Sequence, residues 1–516
     1  MTKMTTYKNP IIAGFHPDPS ICRVGEDYYL ATSSFEYFPG VPIYHSRDLV
    51  NWRQIGHCLT RRSQLDIIEG YPNCLGIYAP TLRYNKGNFY MVTTNQALGR
   101  ERSGNFFVTA KEPKGPWSEP VFVDAPGIDP DLFFDDDGKV YYTGADGGIF
   151  QFEIDIKTGK RLSAIKRLWS GMGYRDPEAP HVYKIGGKYY LIIAEGGTSY
   201  GHMISIARGN NPCGPHESCP YNPILTHRST NSPIQAVGHG DMIEAHDGSW
   251  WMVCLGIRPV SYPDRHHLGR ETFLTSVEWT KDGWPIVKPL ELEVKAKCLP
   301  LRSFDKKGQP DDVFGGDVLG SEWSYIRNPI ESNFILGKKK GALTLIGTEQ
   351  NLNGLGSPTF VGRRLQYFDS ETNVRLDFEP LIDGEEAGIT TFLGGAHVGE
   401  PERGYHYEIA VTRIKGKKCI IFRRWIGTLY KVEKCVPVEK GMVTLYLTTN
   451  PREFIFGYRA DNAKKTTELG RGEAHLLSTE AGGTFTGLMI GLYATGNGKK
   501  CETEAHFDSF NYIGKE

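Results

Sequence analysis

No stretch of this 516-residue chain approaches the roughly 18 consecutive apolar residues of a membrane helix. The opening residues, Met1-Thr2-Lys3-Met4-Thr5-Thr6-Tyr7-Lys8-Asn9-Pro10, lack the apolar core of an export signal, which points to a cytoplasmic protein. Charge of one sign is missing too. Lys and Arg number 59 against 60 Asp and Glu, a net charge of −1, which argues against nucleic acid or an anionic membrane surface as partner. The ten cysteines form no CxxC pair. Most lie in apolar settings such as Trp251-Met252-Val253-Cys254-Leu255 and read as reduced core thiols. Cys213 and Cys219 are close enough in sequence to pair in an oxidising compartment. HExxH and clustered Cys/His are absent, which argues against a zinc centre. The absence of GxSxG and of GxxxxGK[ST] argues against a serine triad and a phosphate loop. No long amphipathic helix stands out.

What the chain does have is turns and aromatics: 60 Gly, 31 Pro and 12% Phe, Trp and Tyr, as in a turn-rich β protein. One unit recurs. Asp129-Pro130-Asp131-Leu132-Phe133-Phe134 runs into Asp135-Asp136-Asp137-Gly138 and then Val140-Tyr141-Tyr142, an apolar run, a turn and a second apolar run. The turn and second strand repeat as Gly25-Glu26-Asp27-Tyr28-Tyr29, Gly87-Asn88-Phe89-Tyr90, Gly138-Lys139-Val140-Tyr141, Gly187-Lys188-Tyr189-Tyr190 and Gly248-Ser249-Trp250-Trp251. Repeats of roughly 50 to 60 residues, each with room for about four strands, fit the blades of a five-bladed β-propeller.

Eleven residues before the first apolar residue of each doublet stand Tyr78, Asp129, Glu178 and His239; in the first repeat Asp18 stands ten before Tyr28. The first strand of each blade lines the propeller axis, so one repeated position predicts that Asp18, Tyr78, Asp129, Glu178 and His239 converge on an axial pocket. Singly, each is also explained as a turn or strand cap. Prolines on both sides of Asp18 fix its backbone. Three carboxyls in one pocket suit hydrolysis of a glycosidic bond. That reaction needs one acid ionised and one protonated, and a third can tune them. The loop Ser33-Ser34-Phe35-Glu36-Tyr37-Phe38 offers an aromatic wall for a sugar ring, with Phe35 the first choice; packing is its other reading. Glu195 and Glu244 lie out of register and read as structural, and Asp131 is held in reserve beside Asp129.

The spacing ends near the polar run Asp305-Lys306-Lys307-Gly308-Gln309-Pro310-Asp311-Asp312. We therefore divide the chain into a catalytic propeller, 1–298, and a β-sandwich, 299–516. Short alternating strands mark the latter at Thr372–Phe378, Tyr405–Val411, Cys419–Arg423 and Val443–Leu447.

At Gly14-Phe15-His16-Pro17-Asp18-Pro19-Ser20, Gly127-Ile128-Asp129-Pro130, Pro177-Glu178-Ala179-Pro180-His181, Gln235-Ala236-Val237-Gly238-His239 and Leu268-Gly269-Arg270-Glu271-Thr272-Phe273 the chain resembles glycoside hydrolase family 43. The resemblance is to its β-xylosidases with a C-terminal β-sandwich of concanavalin type. It continues through Asp317-Val318-Leu319-Gly320-Ser321-Glu322-Trp323 and spans essentially the whole chain. It implies an all-β protein, a five-bladed propeller followed by the sandwich. It further implies that Asp18 is the general base, Glu178 the general acid, and Asp129 the group that raises the Glu178 pKa and orients it. Arg270 would bind sugar hydroxyls, with Phe35, Tyr78 and His239 completing the substrate pocket. No cofactor is required; a hydrated Ca²⁺ at His239, structural or activating, is the one metal the resemblance admits, and a lone His is a poor Ca²⁺ ligand. Large members of this type are often dimers or tetramers, which points to a homo-oligomer. Tyr78 departs from the family's usual Trp, and Asp131 from its usual Ser.

The expected activity is inverting, exo-acting release of xylose from the non-reducing end of β-1,4-xylo-oligosaccharides. An α-L-arabinofuranosidase, or an enzyme with both activities, is the alternative on the same fold. A binding propeller without catalysis and a retaining fructan-cleaving propeller are the remaining readings; Arg175-Asp176-Pro177 is what brings the latter in. The second domain is expected to pack on the propeller and lend a loop to the pocket, or to bind sugar itself.

Overall fold

The computed structural model describes residues 4–67, 70, 73–96, 103–297, 314–394 and 404–515. Five antiparallel sheets form a ring. Their innermost strands are Ser20–Val24, Thr81–Asn85, Ile128–Phe134, Glu178–Ile185 and Gln235–Glu244. Each touches the next, and the fifth returns to the first, so the ring is closed. The N-terminal segment laces the closure. Asn9 Oδ1 accepts from Leu274 N at 3.0 Å, and the Tyr7 hydroxyl donates to Leu274 O at 2.9 Å. The landmark glycines Gly25, Gly87, Gly138, Gly187 and Gly248 all have positive φ, between 64° and 88°, which is why each hairpin turn carries one.

The apolar doublets explain the ring. Adjacent strand residues point to opposite faces of a sheet. Tyr28 therefore packs between blades five and one, while Tyr29 packs between one and two. Phe89 and Tyr90, Tyr141 and Tyr142, Tyr189 and Tyr190, and Trp250 and Trp251 likewise feed two different cores each. A strand apolar on both faces cannot serve a sheet with one wet side. It requires a neighbour on each side, and five such blades supply five inter-blade cores.

The second domain is a two-sheet sandwich. One sheet of eight strands includes Lys417–Gly427, Gly404–Ile414, Glu386–Phe392 and Met489–Thr495; the other, of seven, includes Glu504–Lys515, Asp369–Asp377 and Val443–Thr449. Side chains such as Ile389, Ile409, Phe422, Leu445 and Phe507 fill the space between them. The outer face of the eight-stranded sheet does not meet water throughout. Phe360, Phe392, Met489 and Tyr493 pack against Phe15, Phe35 and Tyr37 of the propeller. Tyr37–Phe38, from the first blade, also pairs with Ser324–Ile326 and becomes that sheet's edge strand. The domains are thus joined by a shared sheet and a shared apolar layer. The only α-helix among the described residues is Thr479–Gly482. All nine described cysteines are free, Cys213 and Cys219 included.

Candidate active site

The repeated position is in fact two adjacent positions. Strand pairing resumes at Ser20, Asp131, His181 and Asp241. Two residues before each stand Asp18, Asp129, Ala179 and His239, all with φ between 47° and 55°. One residue earlier again stands Glu178, and Tyr78 occupies the matching place before Thr81: Glu178 pairs with Ala194, and Tyr78 N donates to Thr94 O. Counting back from the doublet hid this. The hairpins of blades one, two and four turn in two residues, whereas Phe134 to Val140 and Glu244 to Trp250 enclose five. A non-glycine residue at positive φ is strained and persists only when its surroundings hold it. Three of the four such positions carry Asp18, Asp129 and His239. Glu178 enters the pocket from the neighbouring backbone position.

Asp18 is 4% exposed. Arg270 Nη1 donates to its Oδ1 at 2.7 Å, the Ser33 hydroxyl donates to its Oδ2, and His239 Nδ1 lies 3.7 Å from Oδ1. Burial alone would raise this carboxyl. The Arg270 charge, then His239, the Ser33 hydrogen bond and His202 outweigh burial and hold it below its ordinary value. Asp18 is ionised.

Asp129 and Glu178 go the other way. Ala179 N donates to Asp129 Oδ2 at 3.1 Å, tying the third blade to the residue after Glu178. Burial, and then the Asp18 charge, push Asp129 up. Burial, then the Asp129 and Asp18 charges, push Glu178 well above the carboxylate range, against the opposing pull of Arg270. Asp129 and Glu178, two buried neighbouring acids beside a third, ionised one, retain a proton between them. The pocket therefore holds Asp18 ionised and one proton shared by the Asp129 and Glu178 carboxyls.

His239 is buried, and its ring faces that of His181 at 6.4 Å. Burial lowers its pKa to about 4, so it is neutral. His202, also buried and lowered to about 3, lies beside it; its Nδ1 is 3.3 Å from Ala236 O. Gly238 makes room for that ring: a Cβ there would lie 2.3 Å from His202. This donor set does not fit a directly held Ca²⁺. Ca²⁺ takes oxygen ligands, whereas the groups around His239 are imidazoles, the Arg270 cation and the Asp18 and Asp241 carboxylates, whose oxygens are already engaged by Arg270, Ser33, Arg83, Ser20 and Tyr183.

The aromatic wall has three rings. Phe35, at positive φ and 3% exposed, is bridged to Ile77; its ring lies 5.2 Å from Tyr78 and 6.0 Å from Phe485. Phe485 comes from the sandwich and is 43% exposed, so the open aromatic at this edge is supplied by the second domain. Arg270 sits over Phe35 at 5.6 Å and Phe485 at 5.9 Å, donates to Phe485 O at 3.3 Å and to Thr198 Oγ1 at 3.2 Å. Gly269, beside it, approaches Gly487 so closely that a Cβ would lie 2.8 Å from the Gly487 Cα.

Asp131, held in reserve from the sequence, faces away from this chemistry. Arg83 binds its Oδ1 at 3.0 Å and Val182 N donates to its Oδ2 at 2.9 Å. Glu195 is fully buried and accepts from Met172 N at 2.8 Å, fastening the loop that leads to Glu178; Glu244 is exposed. Ser33, Thr198, His202 and Phe485 were missed. Ser33 stands two residues before Phe35 and carried a local hint. The others come from loops and a distant domain and have no signature of spacing.

Residues 7–285 match the family model for glycosyl hydrolases family 43, and 311–513 match that of the beta xylosidase C-terminal concanavalin A-like domain. The chain is 42% identical to the non-reducing end alpha-L-arabinofuranosidase BoGH43B of Bacteroides ovatus over 98% of this chain and 94% of that protein. It is 37% identical to a xylosidase/arabinosidase of Butyrivibrio fibrisolvens, over 98% and 99%. A solved structure described as Bacteroides ovatus Xyloglucan PUL GH43B superimposes with a TM-score of 0.93 at 40% identity, covering 99% of this chain and all of that one. This chain belongs to glycoside hydrolase family 43.

Proposed function

We propose that this glycoside hydrolase removes single pentose units from the non-reducing end of short oligosaccharides with inversion, and that β-1,4-xylo-oligosaccharides are its substrates. The observation that carries the reading is the split in protonation: Asp18 ionised under Arg270 and Ser33, Glu178 kept protonated by burial and by Asp129. Asp18 takes a proton from water as the water attacks the anomeric carbon. Glu178 gives its proton to the departing oxygen from the other side. Asp129 is the positioning and tuning residue, through its charge on Glu178 and its bond to Ala179 N. Arg270 serves both as the clamp on Asp18 and as a donor to sugar hydroxyls. Phe35, Tyr78 and Phe485 close one side of the pocket, which supports an exo mode of attack. No step passes through a metal; treatment with a chelator should leave kcat unchanged.

A second reading has its own support. The relative at 42% identity is named an arabinofuranosidase and the one at 37% a xylosidase/arabinosidase. The deciding experiment is a proton NMR time course on xylobiose. Release of α-xylose as the first product supports the proposal, and β-xylose sinks the inverting mechanism. No release, together with turnover of an α-L-arabinofuranoside, moves the assignment to arabinofuranose.

A further inference from the structure

Arg364 carries a buried positive charge with no acid beside it. It ends the strand Thr359–Arg364 of the eight-stranded sheet, where successive side chains point to opposite faces. Arg363 points into the sandwich, over Trp323 and Phe510, and its Nη1 lies 3.8 Å from Glu322 Oε1. Arg364 points the other way, towards the propeller. It lies over the Phe15 ring at 5.4 Å and is 5% exposed. The domains close tightly beside it: a Cβ on Gly14 would lie 2.6 Å from Leu365 O, and Gln366 Nε2 donates to Ala13 O at 3.3 Å. Among the described residues the Arg364 side chain makes no hydrogen bond and no ion pair, and its Nε is sealed from solvent.

Arginine does not shed its proton, and a buried charge left without a partner is costly. The groups around Arg364 do not balance it. Those that act on it are the Tyr44 and Tyr37 hydroxyls. Burial pushes both up, Tyr44 to about 12, so both are neutral. Burial lowers His16 and His57, the latter to about 3, and Arg364 lowers them further, so neither carries charge. The hydroxyls here are short of partners as well. Strand pairing sets Ser324 opposite Gly362 and Ile326 opposite Tyr37, so Ser324 and Tyr37 share the Arg364 face of the sheet. Tyr44 approaches from the first blade, its ring 5.5 Å from that of His16. The Tyr37, Tyr44 and Ser324 hydroxyls are all buried, and none has a hydrogen-bond partner among the described residues.

We propose that Arg364, with the Tyr37, Tyr44 and Ser324 hydroxyls near it, binds a small monovalent anion of the halide class, chloride, in the seam between the two domains. A guanidinium and three hydroxyls are a set of donors, and an anion accepts from all of them at once. One positive charge calls for one negative charge, which disfavours phosphate and sulfate. A halide is spherical, asks for no fixed acceptor geometry and gives up its water more readily than a carboxylate. The anion lies behind the aromatic wall of the acid pocket and not in it, because Phe15 stands between Arg364 and Phe35, its ring 6.0 Å from that of Phe35. Its role is to complete the docking of the sandwich on the propeller, whichever sugar the enzyme takes.

The test uses the full-length protein and two probes. In thermal unfolding, sodium chloride replaces sodium gluconate at constant ionic strength. The midpoint should rise with chloride and continue to rise with its logarithm once the site fills, as for any ligand held by the folded state alone. Arg364→Met should abolish the chloride-specific rise. Tyr44→Phe removes one hydroxyl and little volume, and should raise the chloride concentration at which the rise sets in by about tenfold or more, the scale of a hydrogen bond to a charged group. If Arg364→Met does not fold, Tyr44→Phe carries this arm. In the second arm, crystals grown in sodium bromide are measured at the bromine absorption edge, and an anomalous peak is expected within contact of Arg364. A chloride-specific rise that survives Arg364→Met, or that Tyr44→Phe leaves in place when Arg364→Met does not fold, belongs to another site and overturns the proposal. So does the absence of bromide beside Arg364. Bromide there with a midpoint indifferent to chloride marks an adventitious ion only, and overturns it too.

Discussion

Two layers on the propeller axis lie two residues apart on the same strands, and they differ in how their carboxyls are charged. The upper layer holds Asp18, Asp129 and His239, with Glu178 alongside. The lower layer holds Ser20, Asp131, His181 and Asp241. Carboxylates occur in both, so carboxylates in register do not by themselves make a site. The lower layer has a cation of its own: Arg83 binds Asp131 at 3.0 Å and Asp241 at 2.9 Å, and Ser20 Oγ donates to Asp241 Oδ2 at 2.8 Å. Asp241 is consequently held far below the ordinary carboxylate range, with the Arg83 charge the largest of the effects that outweigh burial. The upper layer has three acids and one arginine, and Arg270 is spent on Asp18. The remaining two acids have no cation bound to them directly; burial and the Asp18 charge outweigh the more distant pull of Arg270, and they keep a proton. A shortage of positive charge is what leaves a proton in the upper layer.

The largest effect should come from neutralising the retained proton's carrier. Glu178→Gln should lower kcat by about 10²- to 10⁴-fold on xylobiose. The loss should shrink on an aryl glycoside whose leaving group needs no protonation. An equal loss on both substrates removes Glu178 from the role of acid.

In the lower layer the same kind of change should act on stability instead. Asp241→Asn leaves Arg83 short of a buried partner, a disruption that costs about 3–5 kcal/mol in comparable buried pairs. A denaturant titration should show the loss, while kcat of the folded protein stays near that of the parent. Because the folded Asp241 pKa is depressed, its contribution is complete at neutral pH and is lost only as pH falls towards the folded value. The variant and parent should therefore converge in stability in strong acid. A large fall in kcat without loss of stability would erase the distinction between the layers.

Asp129→Asn tests the tuning step between them. The charge of Asp129 is the largest electrostatic neighbour raising Glu178. The proposed mechanism requires Asp18 ionised and Glu178 protonated, so activity should fall on the alkaline side as Glu178 loses its proton. Removing the Asp129 charge lowers that pKa, and the alkaline limb of kcat/KM should move to lower pH by about one unit, the effect of ~1.4 kcal/mol. An unmoved limb would leave Asp129 a purely structural role.

The propeller was legible because its signal is repeated. Five glycine turns and five apolar doublets each recur, and the doublets carry the physical reason for blades, two buried faces per strand. The sandwich strands Thr372–Phe378 and Tyr405–Val411 were recognised by alternation and observed as Asp369–Asp377 and Gly404–Ile414. What alternation cannot reveal is the partner: nothing in Tyr37–Phe38 shows that a propeller loop completes a sandwich sheet. The acids were legible for the same reason as the turns. Their exact backbone positions were not, since a two-residue and a five-residue hairpin differ by one in the count back. Phe485 was invisible because its role arises only from the way Gly487 lets Gly269 and Arg270 approach.

The smallest expected effect concerns the wall that both domains build. Tyr78 stands at the Glu178-equivalent position of the second blade, its ring 5.2 Å from Phe35 and 6.5 Å from Phe485. A tryptophan there would extend the flat face and take space from the pocket. A pyranose presents a flatter face to such a wall than a puckered furanose does. Tyr78→Trp should therefore raise the ratio of kcat/KM for an aryl β-xyloside over an aryl α-L-arabinofuranoside, by on the order of tenfold or less, the scale of discrimination available from apolar shape alone. Tyr78→Phe separates ring size from the hydroxyl: if it shifts the ratio as much as Tyr78→Trp does, the hydroxyl sets the preference by hydrogen bonding to the sugar. A ratio unmoved by either change would place the choice between the two pentoses elsewhere, with Thr198 and Phe485 the next residues to vary, since both touch Arg270.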